Sequence, residues 1–274
     1  MSAAKSQAKN ASNIFPLIII PTLFVVSLIL YFFVLGNPAN FNEELLKEGK
    51  HEPKAEGIGG YLGLIYMGGV IVPFLITGLL TVITFVIERF ITLAQASGTG
   101  SVDSFVHNVR SLLDSNKIIE AIAVCDKQKG SVANVVRAGL VRYEQMSKDT
   151  TMSRDQKVLA IQKEVEEAST LEMPMLERNL NILATLASIA TLLGLLGTVL
   201  GMIRSFKALA TSGSPDPTAL ATGISEALIN TFIGILTSAL AIIAYNYFTG
   251  RIDSMTYRID EAGFSLTQTF ASRH

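Results

Sequence analysis

Four long stretches of the chain carry almost no charge, and they constrain the fold more than any other feature. Residues 10–42, 57–87 and 179–203 contain no Asp, Glu, Lys or Arg, and residues 217–250 contain one, Glu226. About 20 apolar residues are enough to cross a bilayer as an α-helix. A chain of 29.5 kDa cannot bury four such stretches inside a globule. The sequence therefore predicts an all-α, polytopic membrane protein with about four transmembrane helices.

Charge, cysteine and histidine content exclude several classes of function. The formal net charge of −1 and the isoelectric point near 6.3 leave no basic surface for nucleic acid. The single cysteine excludes an internal disulfide. His51, His107 and His274 are far apart and share no helical face, so we expect no metal site. The chain has no Walker A, dinucleotide-binding, nucleophile-elbow or HExxH motif, so we expect neither an enzyme nor a cofactor.

The first apolar segment, residues 14–35, has two interpretations. Its length of about 22 residues exceeds the 7–15 residues of a signal peptide's apolar region, which favours a retained membrane helix over a cleaved signal. Pro16 and Pro21 are expected in its first turns, where a missing N–H is tolerated. The other spans are predicted at residues 66–87, with a kink at Pro73, and at residues 180–203 and 219–248.

Residues 97–177 have the composition of a helical region outside the membrane. Cys125 falls on the apolar face of a short helix there, so we interpret it as a buried hydrophobic residue rather than a reactive thiol. Helices are predicted over residues 102–113, capped by Ser101, over residues 118–127 and 132–143, and from residue 154 onward with a bend or break at Pro174.

Basic residues near the span ends predict the orientation. With four spans, both termini and the middle region share one side, and the richer supply of Lys and Arg there indicates the cytoplasm. A tight turn over residues 212–217 then joins the last two spans on the opposite side. The residues that carry this argument are Lys5, Lys9, Arg89, Arg178, Arg251 and Arg258.

Small residues recur at steps of three or four in the third span and again in the fourth. This spacing places them on one helix face, where they let backbones approach closely in lipid. We therefore predict that Gly194, Gly197, Gly201 and Gly234 pack helices together.

Polar side chains lie beside these glycines. Glu226 is the only ionisable residue within the predicted spans, and a carboxylate at the bilayer centre costs about 2.5–3.5 kcal/mol or more. We interpret it as functional, with a position near the membrane surface as the alternative. One chain has too few helices to build a wide channel, so we expect several copies in a ring with the small, polar faces inward.

Two sequence motifs carry a family resemblance. Residues 194–203 read GLLGTVLGMI and residues 224–235 read ISEALINTFIGI. The first resembles the G-L-x-G-T-V-x-G signature of the MotA/TolQ/ExbB proton channel family, and the second resembles the family's last span. The resemblance covers about residues 66–248, and the glutamate before Ala-Leu favours the ExbB branch.

The resemblance implies a homopentameric ring in the bacterial cytoplasmic (inner) membrane, in contact with lipids and built around helices of an ExbD-like protein that carries a membrane aspartate. Such a complex uses the proton motive force to drive a TonB-like protein and outer-membrane transport. By position, Thr198 and Thr231 match the family's pore-facing threonines and Glu226 its intramembrane glutamate, and we place Asn230 beside them on the proton pathway.

Two alternatives stay open from the residues alone. One is a stator subunit of a gliding or flagellar motor, and the other is a TolQ-like envelope protein or a non-conducting scaffold. The predicted segments are an extra transmembrane helix (1–36), a periplasmic loop (37–65), a transmembrane helix (66–89), a cytoplasmic helical domain (90–178), a family-type transmembrane hairpin (179–250) and a cytoplasmic tail (251–274).

Overall fold

A computed structural model describes residues 2–43, 46, 52–211 and 217–273, and within them it shows helices and no strand. Most of the predicted turn at residues 212–217 and part of the predicted loop at residues 37–65 lie outside the described residues. The helices are α1 (Ser2–Ile29), α2 (Gly57–Tyr66), α3 (Val72–Ser97), α4 (Val102–Asp114), α5 (Ile118–Gln128), α6 (Gly130–Lys148), α7 (Arg154–Leu176), α8 (Leu180–Thr211) and α9 (Pro217–Arg273).

Among the residues that the structure describes, four helical segments are long and apolar enough to cross a membrane, which confirms the predicted polytopic all-α class. Between 11% and 39% of their most apolar windows is buried inside the chain, so most of these apolar side chains face outward, as contact with lipid requires. The segments are Phe15–Leu35, Gly69–Asp114, Leu180–Lys207 and Leu220–Arg273.

The chain divides into two compact units. One contains Met1–Val86 and Asn181–Tyr245, and the other contains Ile87–Leu180 and Asn246–His274. Helices α3 and α9 each contribute residues to both units.

Helix α1 starts earlier than predicted and packs along α3 in the first unit. Because α1 begins at Ser2, Pro16 and Pro21 lie inside the helix, and the expectation that they occupy its first turns was wrong. Residues 2–13 include four Ala, two Lys and one Gln, which are good helix formers and extend the helix toward the N-terminus. The Ser27 and Thr77 hydroxyls are 2.8 Å apart across the α1–α3 contact.

The segment that follows α1 contains more regular structure than the predicted loop. A π-helical turn at Leu30–Leu35 ends where the Asn40 amide donates to the carbonyls of Val34 and Leu35, at 2.6 and 2.9 Å. The Tyr31 and Tyr66 rings stack at 4.7 Å and join this turn to α2. Apolar contacts of this kind explain why residues 57–66 are helical rather than part of a loop.

The break between helices in this part of the chain lies before Pro73, and Pro73 itself does not kink a helix. Helix α3 starts at Val72, so Pro73 occupies its first turn, where its missing N–H costs nothing, and the predicted mid-span kink was wrong. The chain turns instead at Gly68 and Gly69, and Gly69 has a φ of +76°, which favours glycine.

The second unit is a helical bundle with its own apolar core. Helix α9 contributes one buried stripe at three- and four-residue spacing, and the Phe270 ring on that stripe meets the Tyr143 ring of α6 edge-on at 4.9 Å. Residues 251–273 therefore continue α9 as an amphipathic helix. The buried stripe is Ile252, Met255, Ile259, Ala262, Leu266 and Phe270.

Side-chain caps define where helices of this unit begin. The Ser101 hydroxyl accepts from the Ser104 N–H at the start of α4, as predicted. Ser153 and Gln156 form a reciprocal capping box at the start of α7. These contacts satisfy N–H groups that a helix start leaves without partners.

Arg89 is a buried charge in the second unit. Only 1% of its side chain is exposed, and its guanidinium donates to the Glu88 carboxylate at 2.6 and 2.7 Å and to the Leu176 carbonyl at 3.1 Å. The guanidinium therefore donates a hydrogen bond to one of the backbone carbonyls that the end of α7 leaves without a partner inside the helix.

We predict that Cys125 does not react with maleimide in the folded chain near neutral pH. The side chain is 2% exposed, and burial raises the pKa of its thiol to about 12, so the reactive thiolate is scarce. Labelling should begin only on unfolding. A cysteine at the exposed position Ile119, on the same helix and in a C125A background, should react at once. Rapid labelling of native Cys125 would contradict the structure.

Candidate functional site

The predicted glycines lie where α8 and α9 run side by side within one chain. A Cβ atom on Gly194 would lie 3.2 Å from the Gly234 Cα atom, and a Cβ on Gly197 would lie 2.5 Å from the Asn230 Cβ. A Cβ on Gly201 would lie 2.9 Å from the Gly223 carbonyl oxygen. Since there is no room for side chains at these points, the two backbones touch along a glycine-lined hairpin.

Thr198 and Thr231 face each other across this hairpin. Their hydroxyls are in hydrogen-bond contact, and both are within 3.4 Å of the Gly194 and Ala227 carbonyl oxygens. One hydroxyl can therefore donate to the other, which in turn donates its own proton to a carbonyl. The pair is one of several polar contacts between α8 and α9, which also include the bond from the Ser238 hydroxyl to the Ala187 carbonyl.

Asn230 fills the space that Gly197 leaves. Its side chain is fully buried, and its Nδ2 donates to the Gly68 carbonyl at 2.8 Å. Its Oδ1 has no hydrogen-bond partner among the residues that the structure describes. The amide thus connects α9 to the turn before α3 and does not bond to the two threonines.

Glu226 lies one helical turn before Asn230 and forms an ion pair with Arg204 of α8. The Glu226 side chain is 12% exposed and that of Arg204 is 51% exposed. Gly69 lies against the pair, because a Cβ there would be 2.5 Å from Glu226 Oε1 and 3.0 Å from Arg204 Nη1.

The structure therefore separates the predicted polar residues into two groups. Thr198 and Thr231 form one group between α8 and α9, and Glu226 and Asn230 form another that faces the Gly68–Gly69 turn. Sequence reasoning missed Arg204 and this turn. The sequence did contain a signal for Arg204, which is the first charged residue after the third apolar run. In an antiparallel hairpin, the register that pairs Thr198 with Thr231 also brings Arg204 toward Glu226.

Sequence comparisons with known proteins point to one family. The profile of the MotA/TolQ/ExbB proton channel family matches residues 127–261. The chain is 30% identical over 165 residues to the Tol-Pal system protein TolQ of Pseudomonas aeruginosa, an overlap of 60% of this chain and 71% of that protein.

Two further relatives carry the ExbB name. An ExbB homologue of Methanothermobacter thermautotrophicus is 28% identical over 58% of this chain and 53% of its own length. The biopolymer transport protein ExbB of Xanthomonas campestris is 31% identical over 41% of this chain and 44% of its own length. The chain thus spans about half the length of these two relatives. With the profile match and the coverage of TolQ, these similarities establish that the chain belongs to the MotA/TolQ/ExbB proton channel family.

Proposed function

We propose that this chain is the ring-forming subunit of a proton-motive-force-driven complex in a bacterial inner membrane, which powers outer-membrane transport through a TonB-like protein. The observation that carries the proposal is the paired Thr198 and Thr231 hydroxyls in a glycine-lined membrane hairpin. The hydroxyls interrupt two apolar helices at the point where the family signature lies. The Glu226 that precedes Ala-Leu favours the ExbB branch.

The partners follow from what the hairpin lacks. The third and fourth apolar runs, residues 179–203 and 217–250, contain a single Asp, Glu, Lys, Arg or His side chain, Glu226. A proton route across the bilayer needs more titratable groups or a continuous file of water. We propose that an ExbD-like protein supplies a membrane aspartate inside a pentameric ring of this chain, with the polar hairpin faces inward.

The predicted orientation belongs to the same proposal. We place both termini and residues 90–178 in the cytoplasm, with residues 37–65 in the periplasm. Arg89, Arg178 and Arg251, close to span ends, support this arrangement through the excess of basic residues on the cytoplasmic side.

A TolQ-like role in envelope maintenance is the second candidate. It is favoured by the overlap with the Pseudomonas aeruginosa protein, which covers 71% of that relative. Deletion of the gene in its own host separates the candidates. Loss of uptake of a TonB-dependent substrate supports the first proposal, and detergent sensitivity with normal uptake supports the second. A motility defect alone would favour a motor stator.

The assembly is tested on the complex purified from the host membrane. Native mass spectrometry should show five copies of this chain together with a smaller protein that has one membrane aspartate. A monomer without a second polypeptide would contradict the ring.

We predict that Thr198→Val and Thr231→Val each lower transduction while the free energy of unfolding changes by about 1 kcal/mol or less. Valine keeps the β-branched shape, and the remaining hydroxyl still has the Gly194 and Ala227 carbonyls as acceptors. Uptake and the amount of protein in the membrane are measured together. Loss of the protein from the membrane in both variants would show that the hydroxyls are structural.

A further inference from the structure

We propose that Arg204 is a positioning residue for the conducting hairpin. Together with Glu226 and Asn230 it forms a polar clasp that holds the Gly68–Gly69 turn against helices α8 and α9. In this arrangement Glu226 serves as the counter-charge of Arg204 and does not carry protons. The inference deepens the proposed function, and only its uptake readout depends on that function.

The first observation that supports the clasp is the close contact between Gly69 and the ion pair. Gly69 has a positive φ of +76°, and a methyl group there would force the Glu226 carboxylate to shift away from its position in the ion pair. Contact this close at a residue whose positive φ favours glycine indicates that the turn and the pair fit each other.

Asn230 supplies the second half of the clasp. Its hydrogen bond to the Gly68 carbonyl joins residues 162 positions apart in the sequence, and both groups are buried. In a low-dielectric interior such a bond is expensive to lose, because the carbonyl would remain without a partner. A Cβ on Gly68 would lie 2.9 Å from Asn230 Oδ1, so this glycine is also in close contact.

The exposures of the two charged side chains predict an asymmetric response to mutation. Glu226 is largely covered by the rest of the chain, whereas about half of the Arg204 side chain is not. Removal of Arg204 leaves a shielded carboxylate without its counter-charge, which is costly. Removal of the Glu226 charge leaves an arginine near the end of its apolar run, whose long side chain can extend toward the membrane surface, which costs less.

The clasp also gives the N-terminal part of the first unit a role. The Tyr31 ring stacks on Tyr66, next to the turn, and the Ser27 and Thr77 hydroxyls join α1 to α3. Through the clasp, these elements are fastened to the hairpin that carries Thr198 and Thr231.

The first test is a suppression experiment on the pair. Arg204→Gln should lower the thermal unfolding midpoint of the purified complex and reduce uptake. Glu226→Gln should have a smaller effect, because the glutamine oxygen still accepts from Arg204. The double variant should recover most of the stability and uptake that Arg204→Gln loses, and Arg204→Lys should retain more of both than Arg204→Gln.

The second test leaves the charges in place. Gly69→Ala should lower stability and uptake well beyond Gly57→Ala. Gly57 is the matched control because its φ of +84° imposes the same backbone strain, while a Cβ there meets nothing within 4 Å. Equal effects of the two alanine variants would overturn the clasp.

Other outcomes would also overturn the proposal. If the double variant is stable but as inactive as the more defective single variant, Glu226 acts as a proton carrier. If Arg204→Gln leaves the unfolding midpoint unchanged, the ion pair does not position the turn. Should the native chain support no uptake at all, the proposed function fails, and the unfolding midpoints of the same variants still decide the clasp.

Discussion

Replacement of Gly197 by leucine is expected to disrupt the hairpin and with it the assembled ring. The new side chain must enter space that the Asn230 side chain already occupies, 2.5 Å from where a Cβ would lie. Overpacking of this kind typically costs about 1–3 kcal/mol, and here it also displaces the Asn230 bond to Gly68. Native mass spectrometry of the purified variant should show loss of the oligomer, and little protein should accumulate in the membrane.

Gly250→Ala is the matched control for this substitution. Gly250 also lies within α9, but a Cβ there meets nothing within 4 Å. The alanine should be neutral or stabilise the helix by about 0.4–1 kcal/mol. A normal, stable ring in the Gly197→Leu variant would show that the contact between α8 and α9 tolerates separation.

The chain alone is expected to show no proton conduction in liposomes. A relay must cross about 30 Å of hydrocarbon. This chain offers the Glu226 carboxylate, which is paired with Arg204, and hydroxyls that cannot change charge near neutral pH. Proton flux into liposomes that contain only this protein should therefore match protein-free liposomes, as measured with an internal pH-sensitive dye.

Addition of the ExbD-like partner should raise the flux well above this baseline. Asparagine in place of the partner's membrane aspartate is the control, and it should return the flux to the baseline. Robust flux from the lone chain, abolished by Glu226→Gln, would make Glu226 the principal proton carrier. It would contradict both this prediction and the proposed clasp.

The membrane spans and the helix contacts could be predicted because they depend on strong, local patterns. Absence of charge over 25 or more residues has one common physical explanation, and the four apolar segments of the structure agree with it. Glycines at steps of three and four indicate one face of a helix. The pattern does not say which helix meets that face, and the structure shows that Gly194 and Gly234 meet within one chain.

Helix ends and the partner of Glu226 were harder to predict. Helix α1 extends to Ser2, and α9 extends unbroken through 57 residues to Arg273, because polar residues with good helix propensity continue an apolar helix without a sequence signal at the join. The bond between Asn230 and Gly68 depends on a backbone carbonyl, which no residue type reveals. The pairing of Arg204 with Glu226 could be predicted only once the register of the hairpin was known.

The buried Arg89 imposes an order on the folding steps that accompany synthesis of this protein. Its acceptor at Leu176 lies 87 residues later in the chain, so it does not yet exist when the ribosome has just completed α3. At about 5–20 residues per second, the wait is roughly 4–17 s. During this time the guanidinium has the adjacent Glu88 carboxylate but lacks the Leu176 carbonyl, and a charge whose donors are only partly satisfied is costly to bury. The end of α3 therefore reaches its final environment only after α7 is complete, which leaves a nascent chain exposed at this point for several seconds.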